Sequence, residues 1–248
     1  MEYINFWNGN KSEYRQQYEY ELLLAILDVT TVNHGPFKVK RDDTDYPDAK
    51  DEGAILDNGC DVLVTVKGNQ KFKGKRFIEL PYSATKTLLG QRILFVRAED
   101  SGSFTTEDTL RQCSIGIPAT WVDAELFRQN NFNVVEEGLF EDVFDRLLNN
   151  EFDFTCFGAN EAIDIYNNMV KEKDKIVMAP NIKIEYPFPL VFYVNADKPE
   201  LAQRLSYGFK ALIESGRFDD LYQRYFGEIE QELALEQRQS VTLANPFL

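Results

Sequence analysis

Leu88–Val96 reads LLGQRILFV. The apolar run Ile93-Leu94-Phe95-Val96 has the composition of a buried strand, and Gly90-Gln91 suits a chain turning into it. One arginine, Arg92, stands at the mouth of that strand. Its five donors match a carboxylate or phosphate in bidentate geometry. Two readings are open. Arg92 is the anion hook of a cleft between two lobes, or it snorkels at a strand end or pairs with a surface acid.

Upstream of this stretch, strands and helices alternate. Tyr3–Trp7 is an aromatic-rich strand that ends at the turn signal Asn8-Gly9-Asn10. Ser12 is placed to cap a helix whose apolar stripe runs through Tyr14, Tyr18, Leu22, Ala25, Ile26 and Val29. His34-Gly35-Pro36 stops it. Phe37–Lys40 reads as a strand with one wet face, Ala49–Leu56 as a short helix, and Asp61–Val66 as a buried strand. This order predicts a mostly parallel α/β sheet.

Downstream, Ala98–Thr106 is rich in Gly, Ser and acids and is expected to carry the chain into a second lobe. A second α/β set follows: strands at Cys113–Ile117, Asn133–Glu136, Phe152–Phe157 and Ile176–Ala179, with helices between them. Thr120 is a plausible N-cap of the helix Val122–Gln129. Tyr186-Pro187-Phe188-Pro189 is stiff and extended, and the return crossing is expected there. A strand at Leu190–Val194 and two amphipathic helices complete the body, and the apolar tail Asn245–Leu248 is expected to dock back on it. The expected lobes are residues 1–103 plus 188–248, with 104–187 inserted.

Composition narrows the function. The 248 residues are 44% hydrophobic and 27% charged, enough for a sizeable core. The net charge of −14 argues against nucleic acid and against anionic lipid as partners, and favours a soluble monomer. Cys60, Cys113 and Cys156 form no CxxC pair. Cys60 and Cys156 lie in apolar runs, as small buried hydrophobes do. No metal site and no cofactor motif is present. No apolar run approaches the ~18 residues of a membrane span. Met1 leads directly into EYINFW, so either the protein is cytoplasmic or an export leader is missing from this chain.

Taken in order, these segments resemble the extracellular solute-binding proteins of family 3, the receptors of polar amino-acid ABC importers. Leu56-Asp57-Asn58-Gly59-Cys60-Asp61-Val62 is similar to the family's L-x-x-G-x-x-D-V passage, one residue tighter. Pro81-Tyr82 with Leu89-Gly90-Gln91-Arg92-Ile93-Leu94 resembles its P-Y … R-L segment. Ile115-Gly116-Ile117-Pro118-Ala119-Thr120 resembles V-G-V-x-x-G-T, and Leu147–Asp153 resembles L-x-x-G-x-x-D. Gly216–Leu221 with Tyr225-Phe226-Gly227 resembles the closing G-x-Y-D-x-L … Y-F-G. The resemblance implies a two-lobed, type II periplasmic-binding-protein-like fold, with two α/β lobes joined by two hinge strands. It implies a small-molecule ligand captured by lobe closure, a membrane permease or sensor as partner, and the periplasm as location.

The resemblance also assigns roles. Arg92 would pair with a ligand carboxylate, assisted by donors at the helix start around Thr120 and Trp121. Thr120 as a plain N-cap is compatible with that role. The family's ammonium-binding acid falls at Gly158, so Glu161 either substitutes for it or is an ordinary first-turn acid. Trp121 and Phe157 would wall the ligand, Phe157 being equally a core residue. In open α/β sheets ligands lie beyond the carboxyl ends of strands. Trp7, Asn8, Thr65 and Tyr82 are therefore candidates on the first lobe, although Trp7 equally suits the core.

No nucleophile elbow, P-loop, HExxH or dinucleotide glycine pattern is present. His34, the single histidine, lies in a loop and reads as structural or solvated. The expectation is a non-enzymatic receptor for a small anionic or zwitterionic solute, with no catalytic residues. The alternative is a cyclohexadienyl-dehydratase-like enzyme of similar fold, working with Glu161.

Overall fold

The computed structural model describes residues Met1–Leu248. Strand β1 (Glu2–Trp7) opens the first sheet. Ser12 then caps α1 (Glu13–Asp28), its hydroxyl accepting from the Arg15 amide at 3.4 Å. Tyr18, Leu22, Leu23, Ile26 and Leu27 are the buried stripe of this helix. A single turn, α2 (Thr31–His34), ends at Gly35 with φ 78°, a conformation that suits glycine. Strand β2 (Phe37–Asp42) runs parallel to β1. After α3 (Ala49–Gly53) comes β3 (Val62–Val66), buried at every residue and parallel to β1. The short β4 (Phe77–Glu79) follows.

The quoted stretch becomes β5 (Gln91–Arg97), preceded by a 3-10 turn at Leu88–Gly90. The chain continues through α4 (Glu107–Gln112), β6 (Ser114–Ile117), α5 (Val122–Gln129), β7 (Asn133–Glu136) and α6 (Val143–Leu148). Strand β8 (Phe154–Gly158) runs directly into α7 (Ala159–Met169), and β9 (Ile176–Glu185) is the longest strand, with ten residues. Then come β10 (Leu190–Asn195), α8 (Pro199–Glu214) with proline in its first turn, and α9 (Arg217–Phe226). A turn of helix, α10 (Ile229–Glu232), leads to the last strand, β11 (Gln239–Thr242).

Packing divides the chain into two units. Unit 1 is Met1–Lys86 with Pro189–Gly227. Its five-stranded sheet has the order β2-β1-β3-β10-β4, and α1 packs on α8. Unit 2 is Thr87–Phe188 with Glu228–Leu248. Its six-stranded sheet has the order β11-β9-β5-β8-β6-β7. Both sheets are mixed where a mostly parallel sheet is expected from the sequence. In unit 1 the returning β10 enters between β3 and β4 and runs antiparallel to both. In unit 2 the central β5 runs antiparallel to β8 and β9.

The unit bounds also correct the expected ones. Residues 87–103 belong to unit 2, because both edges of β5 are paired there. The Gly- and Ser-rich Ala98–Ser103 is a 3-10 turn within unit 2 and marks no border. Residues 228–248 likewise pack on unit 2, where β11 runs parallel to β9. The chain therefore passes between units three times, after Lys86, after Phe188 and after Gly227. No helix is long and apolar enough to cross a membrane.

Candidate functional site

In unit 1 Trp7 and Asn8 sit at the carboxyl end of β1, Thr65 near that of β3 and Tyr82 beyond β4, and the first three each make a hydrogen bond within the protein. Trp7 is 4% exposed; its indole N–H donates to Thr44 O at 2.9 Å, and its ring joins an apolar cluster with Leu56, Leu63, Phe72 and Tyr193. Asn8 is fully buried and donates from Nδ2 to Gln16 O at 2.8 Å. The Thr65 hydroxyl accepts from Asn69 Nδ2 at 2.8 Å. Tyr82 is half-buried, its ring 5.2 Å from Phe209.

The group that spans these strand ends is one the sequence reading missed. Lys11 lies 5.7 Å from the centre of the Trp7 ring, and its Nζ donates to Glu19 at 2.6 Å and to Val64 O at 3.2 Å. Glu19 is fully buried and also takes a fork from Arg15, at 3.0 and 2.9 Å. Burial lowers the Lys11 pKa, and the Glu19 charge opposes that shift. Nothing in a helical stripe marks Glu19 as buried, because acids are its commonest solvent-facing residues.

In unit 2, Arg92 is 2% exposed and already has a carboxylate. Its NH2 lies 3.2 Å from Asp123 Oδ1, and its donors reach Leu89 O at 3.2 Å and Cys156 O at 3.4 Å. The rings of Tyr186 and Phe188 flank the guanidinium, each at 5.8 Å. The Tyr186 hydroxyl donates to the same Asp123 oxygen. Burial by itself lowers an arginine's pKa, but the charges of Asp123, Tyr186, Cys156 and Glu161 together outweigh it and the Arg92 pKa is raised. Burial also raises the Tyr186 pKa well above its ordinary value. The guanidinium thus stands in a closed ion pair, where a free hook is expected from the sequence.

The helix start differs from expectation too. Trp121, not Thr120, is the N-cap of α5, and it makes no side-chain cap bond. Thr120 has φ 69°, and its N–H donates to Glu136 Oε1 at 3.0 Å. Trp121 is half-buried and packs against Phe140 and Phe157, with centroids at 5.3 and 6.0 Å. Phe157 is fully buried among Phe95, Phe140 and Phe144, a core position. Glu161 is 6% exposed in the first turn of α7, and its charge acts on Arg92. Arg92, Trp121, Phe157 and Glu161 therefore belong to one neighbourhood of unit 2. Asp123 and Tyr186, neither read from the sequence as a site residue, hold Arg92 within it.

All three cysteines are free. Burial raises the Cys60 and Cys156 thiols to about 12 and about 11, so both stay protonated and unreactive near neutral pH. The exposed His34 lies at the end of α2 with its ring 6.4 Å from Tyr207. No group of three or more His, Cys, Asp or Glu is placed to hold a metal ion.

No family model matches the sequence, and no curated protein matches it. Solved structures do match. The probable amino-acid ABC transporter extracellular-binding protein ytmK from Bacillus subtilis is 16% identical, with 92% of this chain and 99% of that one covered and a TM-score of 0.67. A histidine kinase sensor domain with similarity to periplasmic binding proteins is 15% identical, covering 90% and 96%, with a TM-score of 0.66. An arginine transport-system periplasmic binding protein from Legionella pneumophila is 16% identical, covering 90% and 98%, with a TM-score of 0.63. At such identities the likeness shows the fold. The chain, with its two mixed α/β units, has the fold of periplasmic binding proteins.

Proposed function

We propose that this protein is a solute-binding receptor. It captures a small zwitterionic or anionic solute, amino-acid-like or carboxylate, and passes it to a membrane importer or reports it to a membrane sensor. The observation that carries this reading is the structural likeness, over at least 90% of the chain, to proteins described as amino-acid transporter binding proteins and to a sensor domain. The half-buried Trp121 beside an enclosed polar cluster supports it, since small-molecule sites combine aromatic walls with a few fixed polar groups. The ligand is returned unchanged, and the protein works as a monomer on the periplasmic side.

The Arg92–Asp123 pair shapes the chemistry of this reading. A ligand carboxylate reaching Arg92 shares it with a resident carboxylate, so the ligand's charge is met mainly by other donors. A thermal-shift screen of amino acids, diacids, indoles and polyamines tests the function. A true ligand at 100 times its Kd should add about 2.7 kcal/mol to stability. No shift from any member would overturn the reading. New product signals in NMR spectra of a hit would replace the receptor with an enzyme.

A further inference from the structure

Where β5 and β8 meet α7, unit 2 buries more hydrogen-bonding capacity than it uses. Asn160 is fully buried, and neither the oxygen nor the nitrogen of its side-chain amide has a partner. The Nε of Arg92 also lacks a partner. The great majority of buried side-chain polar atoms are paired, so three unmet atoms in one neighbourhood call for a cause.

Their proximity follows from the register. Arg92 and Gly158 are directly opposite on the antiparallel β5–β8 pair, so their Cβ positions face the same side of the sheet. A Cβ at Gly158 would lie 2.4 Å from Asn160 Oδ1 and 3.0 Å from Leu89 O. Leu89 O is itself the acceptor of Arg92 NH1 at 3.2 Å. The Asn160 amide thus stands in the space of the missing side chain at position 158, beside the arginine. Gly158 is also the N-cap of α7 and supplies no side-chain cap.

Charge decides what group suits this place. Arg92 is balanced by Asp123, and Glu161 adds a second carboxylate that acts on it. With Arg92 already paired to Asp123, a further carboxylate would compete with a resident one for the same cation. An uncharged group that donates and accepts matches the amide, and a carboxamide does so through two reciprocal N–H to C=O hydrogen bonds. We propose that Asn160 is the recognition group of unit 2, that it holds the carboxamide of a small solute in this reciprocal way, and that Arg92 Nε donates to the same carbonyl oxygen. Exclusion of water from this place strengthens each such hydrogen bond. This proposal rests on the solute-receptor reading and names the group that the receptor selects.

Calorimetry on the full chain with matched probes tests it: glutamine against glutamate, and asparagine against aspartate. The carboxamide member of at least one pair should bind about 10-fold tighter or more, as when a site built for a hydrogen bond meets a ligand that lacks it. Asn160→Leu should lose about 10-fold or more of that affinity. Its ligand-free Tm should stay level or rise, because leucine fills similar volume with no unpaired atoms. Asn160→Ala repeats the affinity test if the leucine variant fails to fold. Equal or tighter binding of the carboxylate members overturns the proposal and leaves the receptor reading standing. So does unchanged affinity in Asn160→Leu, or binding confined to solutes without a carboxamide. If neither these probes nor the wider screen shifts the melting curve, the receptor reading itself fails and takes the proposal with it.

Discussion

Two buried arginines, one in each unit, carry the same charge at nearly the same exposure and are held very differently. Arg204 in unit 1 is 1% exposed. Its NH1 donates to Glu2 at 2.7 Å, Nε to Thr30 Oγ1 at 2.8 Å, and NH2 to Gly35 O at 2.9 Å. Every nitrogen is engaged, and the guanidinium also stacks 5.5 Å from Phe37. Arg92 in unit 2 makes contacts of 3.2 to 3.4 Å and leaves Nε unmet. Burial does not separate the two. The satisfaction of donors does: the first arginine is a rivet joining β1, α1 and α8, and the second stands in a neighbourhood with capacity to spare.

The sharpest way to break this contrast is to remove the rivet. Arg204→Met should destabilise the protein by about 3 kcal/mol, the low end for breaking a buried pair, because Glu2 keeps partial contact with water. A denaturation midpoint that moves by less than the equivalent of ~1 kcal/mol would cancel the distinction. Asp123→Asn should come next, at about 2 kcal/mol, since it leaves the Arg92 charge buried beside a neutral amide. A double-mutant cycle with Arg92→Met should return a coupling of about 1–3 kcal/mol, with the double variant recovering part of the loss. Coupling near zero would show that Arg92 finds its counter-charge elsewhere.

The smallest effect sets the lower end of the scale. Glu185 pairs with Lys183 at 2.7 Å, and its carboxylate is about one-third exposed. Burial raises its pKa, but hydrogen bonds from Lys183 and from Ser240 on β11 outweigh that and hold it below the ordinary 4.5. A carboxyl depressed on folding contributes stability that is fully present above its unfolded value and is lost as pH falls through the folded one. Protection of β11 amides from hydrogen exchange should therefore weaken as pH drops below about 4.5, and Glu185→Gln should flatten that dependence. Its contribution at neutral pH should be about 0.5 kcal/mol, the scale of a partly exposed pair.

Much of the fold is legible in the chain because apolar runs separated by turn residues report burial directly. Ile93–Val96 and Asp61–Val66 read as buried strands, and they fall on the buried strands Gln91–Arg97 and Val62–Val66. What the runs do not report is who pairs with whom. That β5 belongs to unit 2 depends on Phe154–Gly158 and Ile176–Glu185, at least 57 residues further on. The site shows the same limit. Arg92 stands out locally, but its partner Asp123 looks like any first-turn acid favoured by the helix dipole. Asn160 looks like an ordinary polar residue near a helix start. Only the absence of a side chain at Gly158, two positions earlier, gives its amide a place to stand.

The interleaving of the units bears on the order in which the protein forms during synthesis. Chains emerge from the N-terminus and tend to fold as each unit becomes complete. β1 to β4 appear first, but β3 and β4 lack the strand that lies between them until β10 has been made. Unit 2 waits longer still, because β11 closes its sheet only near the end of the chain. Until then Ile182–Glu185 of β9, the four residues that β11 pairs with, present an unpaired edge, the kind of surface that recruits strands from other chains. A ribosome that stops before Gln239 would release a protein with nearly all of its core and an adhesive flank.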